Sequence, residues 1–194
     1  IQEQVDTEPD ARSAQASRAL TMTTAPVHTR QPQIEVAFVL DTTGSMTKLL
    51  EGAKRKIWSI ASKIAGASPQ PKLRVGLVAY RDRQDEYVTR HFQLSRDIDS
   101  VHADLTSLKA EGGGDAPEAV GQALGESVLH MDWTEGQEVM KVIFVVGDAP
   151  PKRYNDGWDA RHWAQKAAQK GIIVNTSRCG DMASTGRHFQ ALAA

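Results

Sequence analysis

From residue 33 onward the chain switches between two hydrophobic patterns. Ile34–Leu40 and Leu73–Tyr80 are short apolar runs rich in branched residues. Runs of that length, bounded by turn residues, predict strands buried on both faces. Tyr87–Leu94 sets Val88 against charged and polar neighbours and predicts a third, more exposed strand. The short gap after Tyr80 predicts that strands two and three pair as an antiparallel hairpin. Lys141–Val146 and Ile172–Asn175 supply strands four and five. Between the strands the period changes. Met46, Leu49, Leu50, Ala53, Ile57 and Ile60 mark one face of a long helix, which stops at Gly66 with Pro69 and Pro71 beyond it. A short amphipathic helix is predicted over Ile98–Leu108, another from near Pro117, another from Trp158 to Lys170 with Gly171 as its cap, and a last one from near Ser184. This alternation predicts an α/β domain: a Rossmann-like arrangement of three layers around a mostly parallel sheet, with one antiparallel edge strand.

Residues 1–32 lack that patterning. They hold no aromatic residue, and Gln, Thr, Ser, Ala and mixed charges dominate. Such a segment buries too little apolar area to offset its ordering entropy. It is expected to be a tail or linker, with a short helix near Ala11–Leu20, and residues 33–194 are expected to be one domain.

Composition narrows the function classes. Twenty-three Lys and Arg against 24 Asp and Glu leave a net charge of −1, which gives no overall basic surface for a nucleic acid. The longest apolar runs, Val36–Leu40 and Val142–Val146, are strand-sized, and no run approaches the roughly 18–20 residues of a membrane span. Cys179 is the single cysteine, so an internal disulfide and a multi-cysteine metal site are excluded. The first residue is Ile rather than Met, so the chain is expected to be processed or an excised piece, with any signal peptide already gone.

In sheets of this kind ligands bind outside the carboxyl ends of the strands. Three loops expected in that position carry an aspartate: Asp41-Thr42-Thr43-Gly44-Ser45 after strand one, Gly112-Gly113-Gly114-Asp115 before a helix, and Gly147-Asp148 after strand four. Together they offer carboxylates and the hydroxyls of Thr43 and Ser45, with no Cys or His. All-oxygen donors favour a hard divalent cation, Mg²⁺, Mn²⁺ or Ca²⁺. A helix starting just after Ser45 is expected to add partial positive charge there. Thr43 and Ser45 also suit helix capping, and Asp115 suits either a ligand or an N-cap.

These loops resemble those of a von Willebrand factor type A domain. Asp41-Thr42-Thr43-Gly44-Ser45 matches that family's Asp-x-Ser/Thr-x-Ser signature. Gly112-Gly113-Gly114-Asp115-Ala116-Pro117-Glu118 resembles the second metal loop, where many members carry a threonine and Asp115 here takes its place. Val146-Gly147-Asp148-Ala149 resembles the Thr-Asp-Gly loop, without the flanking threonine and glycine. The motif set looks like a bacterial subgroup of exported or envelope proteins. The resemblance implies a metal-ion-dependent adhesion site (MIDAS), with Asp41, Thr43 and Ser45 holding a cation directly or through water and Asp115 and Asp148 completing or orienting the shell. It implies Mg²⁺ ahead of Mn²⁺ or Ca²⁺, an open position filled by a carboxylate of a partner protein, binding rather than catalysis, and an exported location. It also implies a further strand and helix beyond Leu192 that this sequence does not show. The domain is therefore expected to be truncated, or completed by another chain.

Two other readings use the same residues. In a phosphoryl-transfer enzyme of the haloacid dehalogenase type, Asp41 would be the nucleophile and Gly147-Asp148 a Mg²⁺ loop. That reading leaves the Gly112–Asp115 loop without a task, and no second acid follows Asp148 closely. In a degenerate type A domain the same loops would be a metal-free interaction surface. Elsewhere, Arg81-Asp82-Arg83 is expected to be a solvated loop with a local ion pair, Glu118 to sit in the first turn of its helix, Trp158 to lie in the core or flank a groove, and Cys179 to be buried.

Overall fold

The computed structural model describes residues 31–114 and 116–193. The expected tail helix at Ala11–Leu20 and the side chain of Asp115 lie outside the described residues. From Gln31 onward the chain is one packed unit. Its elements run β1 (Gln33–Asp41), α1 (Leu50–Ala65), β2 (Lys72–Tyr80), β3 (Thr89–Ser95), α2 (Ile98–Ser107), α3 (Val120–His130), β4 (Val139–Gly147), α4 (Ala160–Gln169), β5 (Ile172–Arg178) and α5 (Ala183–Gln190).

The sheet has the order β3-β2-β1-β4-β5. β1 pairs in parallel with β2 and β4, β5 joins β4 in parallel, and β3 returns antiparallel to β2. The expected hairpin and the mixed, mostly parallel sheet are thus both present. β1 is buried on both faces from Val36 to Asp41, as its unbroken apolar run requires. One face packs against α3, α4 and α5 through residues such as Val39, Val120, Ala164 and Phe189. The other packs against α1 and α2 through residues such as Phe38, Leu77, Ile57 and Leu105.

Cover on the α1 side is incomplete among the described residues. Phe38 stacks on Phe144 at 5.4 Å, and beside them runs a groove of about 460 Å³ between α1 and the ends of β4 and β5. Further along that face, Met140 and Ile173 are 52% and 42% exposed. Ile173 lies opposite Val142, two residues on from Met140, which puts both on one side of the sheet. Cys179 lines this groove and is half-buried, short of the full burial expected for it.

Helix starts are set by caps and by long-range ties. Asp97 and Asp159 accept hydrogen bonds from the N–H groups of Ser100 (3.1 Å) and His162 (2.9 Å), and so open α2 and α4. The helix expected just after Ser45 begins later, at Leu50, because Gly44–Lys48 first winds as a single 3₁₀ turn. Ser45 therefore sits in this 3₁₀ turn, and α1 proper starts five residues beyond it. Trp158 packs on the α3 surface, where a side chain at Gly121 or Gly125 would collide with it, and stacks on Trp163 at 5.4 Å. It is a packing residue.

Candidate metal centre

The loops after β1 and β4 meet at the carboxyl end of the sheet. Asp41 closes β1 with no exposed surface. Its Oδ1 accepts hydrogen bonds from the Thr43 N–H (2.9 Å) and the Thr43 hydroxyl (2.7 Å). The Thr43 and Ser45 hydroxyls lie 3.0 Å apart, and Ser45 Oγ donates to Asp148 Oδ1 at 2.9 Å. Four of the five candidate ligands are therefore joined oxygen to oxygen. Thr43 holds the N-cap position of the 3₁₀ turn, but its side chain makes no capping bond. The N-cap of α3 is Ala119, so Asp115 does not fill that role.

The glycine loop closes over this cluster. Gly44 N–H donates to Gly112 O (2.9 Å), and Glu111 N–H donates to Thr42 O (3.0 Å). Gly113 has a φ of +76°, and a Cβ on it would stand 2.9 Å from Thr43 Cβ. Only glycine both adopts that backbone and lets the loop lie against Thr43. Both carboxylate oxygens of Asp85 accept from Gly113 N–H, at 2.8 and 2.9 Å.

The floor of the cluster is polar and unsatisfied. Among the described residues, Asp41 Oδ2, Tyr80 Oη and Glu118 Oε2 are the buried side-chain polar atoms with no hydrogen bond of ordinary geometry, although Tyr80 and Asp41 lie near enough to interact. Tyr80 Oη and Asp41 Oδ2 both face Gly147, whose Cβ, if it had one, would sit 2.4 and 3.0 Å from them. Burial raises the Asp41 carboxyl to about 6 against the opposing hydrogen bonds of Thr43, and the charge of Asp148 adds to the rise. Burial also drives Glu118 up to about 8, reinforced by the charges of Asp41, Asp82, Asp85 and Asp148. Tyr80 is held well above the usual phenol range by burial and by Asp41 and Glu118. Clustered buried oxygens whose ionised forms are disfavoured are what a bound cation relieves. The donor set therefore fits a hard divalent ion. Among the described residues no three His, Cys, Asp or Glu side chains gather closely enough to hold a metal by themselves, so the hydroxyls of Thr43 and Ser45 are integral to that fit.

Two sequence expectations are corrected here. Glu118 does not lie in the first turn of α3. It precedes the helix, with its N–H on Pro150 O (3.0 Å) and its carbonyl accepting from Lys152 N–H (2.7 Å), and its residue is 3% exposed. Arg81-Asp82-Arg83 is not a solvated loop, because Arg81 and Asp82 are each 4% exposed. Arg81 Nε donates to Thr42 O at 3.2 Å, and its guanidinium lies 4.4 Å from the Tyr87 ring centre. Asp82 accepts from Lys152 Nζ (2.6 Å) and from the Tyr154 hydroxyl. Burial works to raise the Asp82 carboxyl, but those two hydrogen bonds outweigh it and hold it below its ordinary value. No sequence signal marks Tyr80 for the site, and Glu118 ends the glycine-loop motif without being singled out as a ligand; the burial of both is set by the packing of distant loops.

A doubly covered α/β sheet with an oxygen cluster at its carboxyl rim defines a class of ligand-binding domain. The chain belongs to the von Willebrand factor A domain family, whose model matches residues 35–193. Von Willebrand factor A domain-containing protein 7 of Rattus norvegicus is 36% identical over 121 residues, covering 62% of this chain and 12% of that protein. The Homo sapiens protein of that name matches with the same figures. The matched part thus spans about an eighth of these relatives. Among solved structures, BatB from Bacteroides thetaiotaomicron aligns with a TM-score of 0.61 at 20% identity, over 82% of this chain and 85% of that one. Proximal thread matrix protein 1 from the mussel byssus, described with a zinc-occupied MIDAS motif, aligns with a TM-score of 0.67 at 17% identity, over 84% and 39%. Likeness at such identities speaks for the fold alone.

Proposed function

We propose that this domain is a cation-dependent protein-binding module, and that Asp41, Thr43, Ser45 and Asp148, together with Asp115, hold one divalent cation at its rim. The observation that carries the reading is the continuous oxygen chain from Asp41 through Thr43 and Ser45 to Asp148, with one oxygen of Asp41 buried and without a hydrogen bond of ordinary geometry. When bound, the cation supplies a Lewis-acidic position open to an oxygen ligand. Because Thr43 and Ser45 are neutral donors, the site compensates the ion's charge less than an all-carboxylate set would, and a partner carboxylate is the oxygen ligand proposed for it. Mg²⁺ is the expected ion, and the zinc described for the mussel thread protein makes Zn²⁺ worth including in the assay. No helix among the described residues is long and apolar enough to cross a membrane. An exported setting remains part of the proposal, and membership of an interaction-module family supports binding over catalysis.

The test has two arms. Mg²⁺ or Mn²⁺ is expected to raise the thermal midpoint of the wild-type domain, and Asp41→Ala to abolish the rise. Absence of any shift in the wild type turns the reading toward a metal-free scaffold. Partner capture from source extract is expected to need Mg²⁺ and to vanish with EDTA or Asp41→Ala. Mg²⁺-dependent phosphatase turnover that disappears in Asp41→Asn overturns the binding reading in favour of an enzyme.

A further inference from the structure

At the amino ends of the strands, far from the oxygen cluster, three charged residues stand side by side. The sheet register sets Glu35 of β1 beside Arg74 of β2 and Lys141 of β4. Glu35 is fully committed. Its oxygens accept from Arg74 Nη1 (2.8 Å), from the Thr134 N–H (2.9 Å) and from the Thr134 hydroxyl. Arg74 in turn reaches the Asp132 carboxylate. Lys141 is left out of this network. Its residue is 7% exposed, it forms no ion pair among the described residues, and its ammonium group donates to Gly136 O at 3.2 Å. An ammonium group placed that deep without a counter-charge is costly.

A cavity of about 380 Å³ opens beside Lys141, between the end of α3, the segment that follows it and the start of β5. That is the size of a small-molecule pocket. Lys170 lines it too. Its Nζ donates to Val128 O at 3.4 Å, and it likewise forms no ion pair among the described residues. The walls are apolar, built from Val128, Leu129, Met131, Trp133 and Ile172. Trp133 spends its indole N–H on Ser127 O (2.9 Å), so it offers the cavity ring surface and no donor. Two acids also line the cavity, and neither neutralises the lysines. Asp132 is taken by Arg74 and by the Leu94 N–H, and Glu135 is exposed, where solvent screens its charge. An apolar occupant would leave both ammonium groups unpaired, and a cationic one would be repelled by them.

We infer that this cavity is a binding site for a small amphipathic acid, whose anionic head is held by Lys141 and Lys170 and whose apolar body lies against Trp133 and the walls around it. Both lysines stand on fixed elements, Lys141 within β4 and Lys170 at the carboxyl end of α4. The site is separate from the cation site, because β1 and β4 present Glu35 and Lys141 at one end and Asp41 and Asp148 at the other. Carboxylate and phosphate heads share this chemistry, and the experiment tells them apart.

The test titrates octanoate, indole-3-acetate and phenyl phosphate into the full chain without metal. Calorimetry gives the affinity, and the indole N–H resonance of Trp133, assigned with Trp133→Phe, gives the place. At least one of the three is expected to bind and to move that resonance. Tighter binding of a carboxylate assigns a carboxylate head, and tighter binding of phenyl phosphate a phosphate head. Indole-3-acetamide, which lacks the charge, and inorganic phosphate, which lacks the apolar body, are each expected to bind about tenfold or more weakly than their amphipathic counterparts. Lys141→Met keeps the apolar stem and removes the charge. It is expected to weaken the best probe about tenfold, with a probe-free thermal midpoint equal to or above that of wild type. A purely structural lysine gives the opposite pair, a lower midpoint and unchanged affinity. Lys170→Met, at an exposed position, is the second variant and is expected to weaken the same probe several-fold. The inference is overturned if none of the three anions binds or if the Trp133 resonance stays still. It is also overturned if the acid and its amide bind alike, or if the Lys170→Met affinity stays within about twofold of wild type.

Discussion

Ser45 and Asp148 stand 103 positions apart in the chain and meet through one hydrogen bond, the serine hydroxyl donating to the aspartate Oδ1 at 2.9 Å. That bond ties the loop after the central strand to the loop after its neighbour. It is exposed, so in the metal-free protein Ser45→Ala is expected to cost only about 0.5–1 kcal/mol in urea unfolding. Its effect on Mn²⁺ affinity is expected to be much larger, about tenfold or more by calorimetry, because the alanine removes a donor oxygen as well as the tie. Equal affinity in the two proteins removes Ser45 from the ligand set.

Gly147 presses against both Tyr80 Oη and Asp41 Oδ2. Gly147→Ala places a methyl group within 2.4 Å of the phenol oxygen in a fully buried setting. The expected loss is about 2 kcal/mol of folding stability, read from urea unfolding, together with weaker cation-induced stabilisation. A variant as stable as wild type shows that the floor can relax.

Asp82 anchors the β2–β3 loop to the β4–α4 loop through Lys152 and Tyr154, while Arg83 stacks on the Tyr154 ring at 3.5 Å. Asp82→Asn is expected to cost about 2 kcal/mol, because a buried acceptor of two strong donors is weakened. The Tyr154 ring should gain mobility, and its fluorescence or NMR line shape is the local readout. Unchanged ring dynamics would argue that the stacking on Arg83 alone holds the loop.

Glu126 on α3 gives a pH prediction. Burial pushes its carboxyl up, but hydrogen bonds from His91, Thr89 and Gln122 outweigh burial and bring it down to about 2 from an ordinary 4.5. A depressed acid stabilises the fold above its unfolded value and loses that contribution as pH falls through its folded value. The window is therefore between about 4.5 and 2. Glu126→Gln is expected to lower stability at neutral pH by about 2 kcal/mol and to flatten the acid limb in this window. Unfolding free energies at pH 7 and pH 3 make the comparison.

Much of the molecule was legible because its signals are local. The apolar run at Ile34–Leu40 requires a doubly covered strand, and Asp41, Thr43 and Ser45 stand together in sequence at its end. Asp148 follows from the same rule applied to strand four. What escaped was decided by contacts between distant segments. The turn at Gly44–Lys48 delays α1 while Gly44 N–H is engaged by Gly112 O across the glycine loop. Glu118 looks like a first-turn acid until Pro150 and Lys152 claim its backbone. Asp82 and Arg81 look like surface charges until Lys152, Tyr154 and Thr42 bury them. Polar side chains carry no sequence mark of burial, and here burial is what gives them a role.

The uneven cover of the sheet also sets the order in which it comes apart. β1 has a paired neighbour on each side and helices on both faces, whereas β5 pairs with β4 alone among the described strands and shows Ile173 to solvent. Backbone amides protected by few buried contacts exchange through small local openings, and those at the centre only through global unfolding. Amide exchange should therefore grade across the sheet, fastest at Ile173 and Asn175 and slowest at Phe38 and Val39. The oxygen cluster is fastened to the slow end of that gradient through Asp41 and to the loop beyond β4 through Asp148, so a cation bound between them should slow exchange most at the junction of β1 with β4.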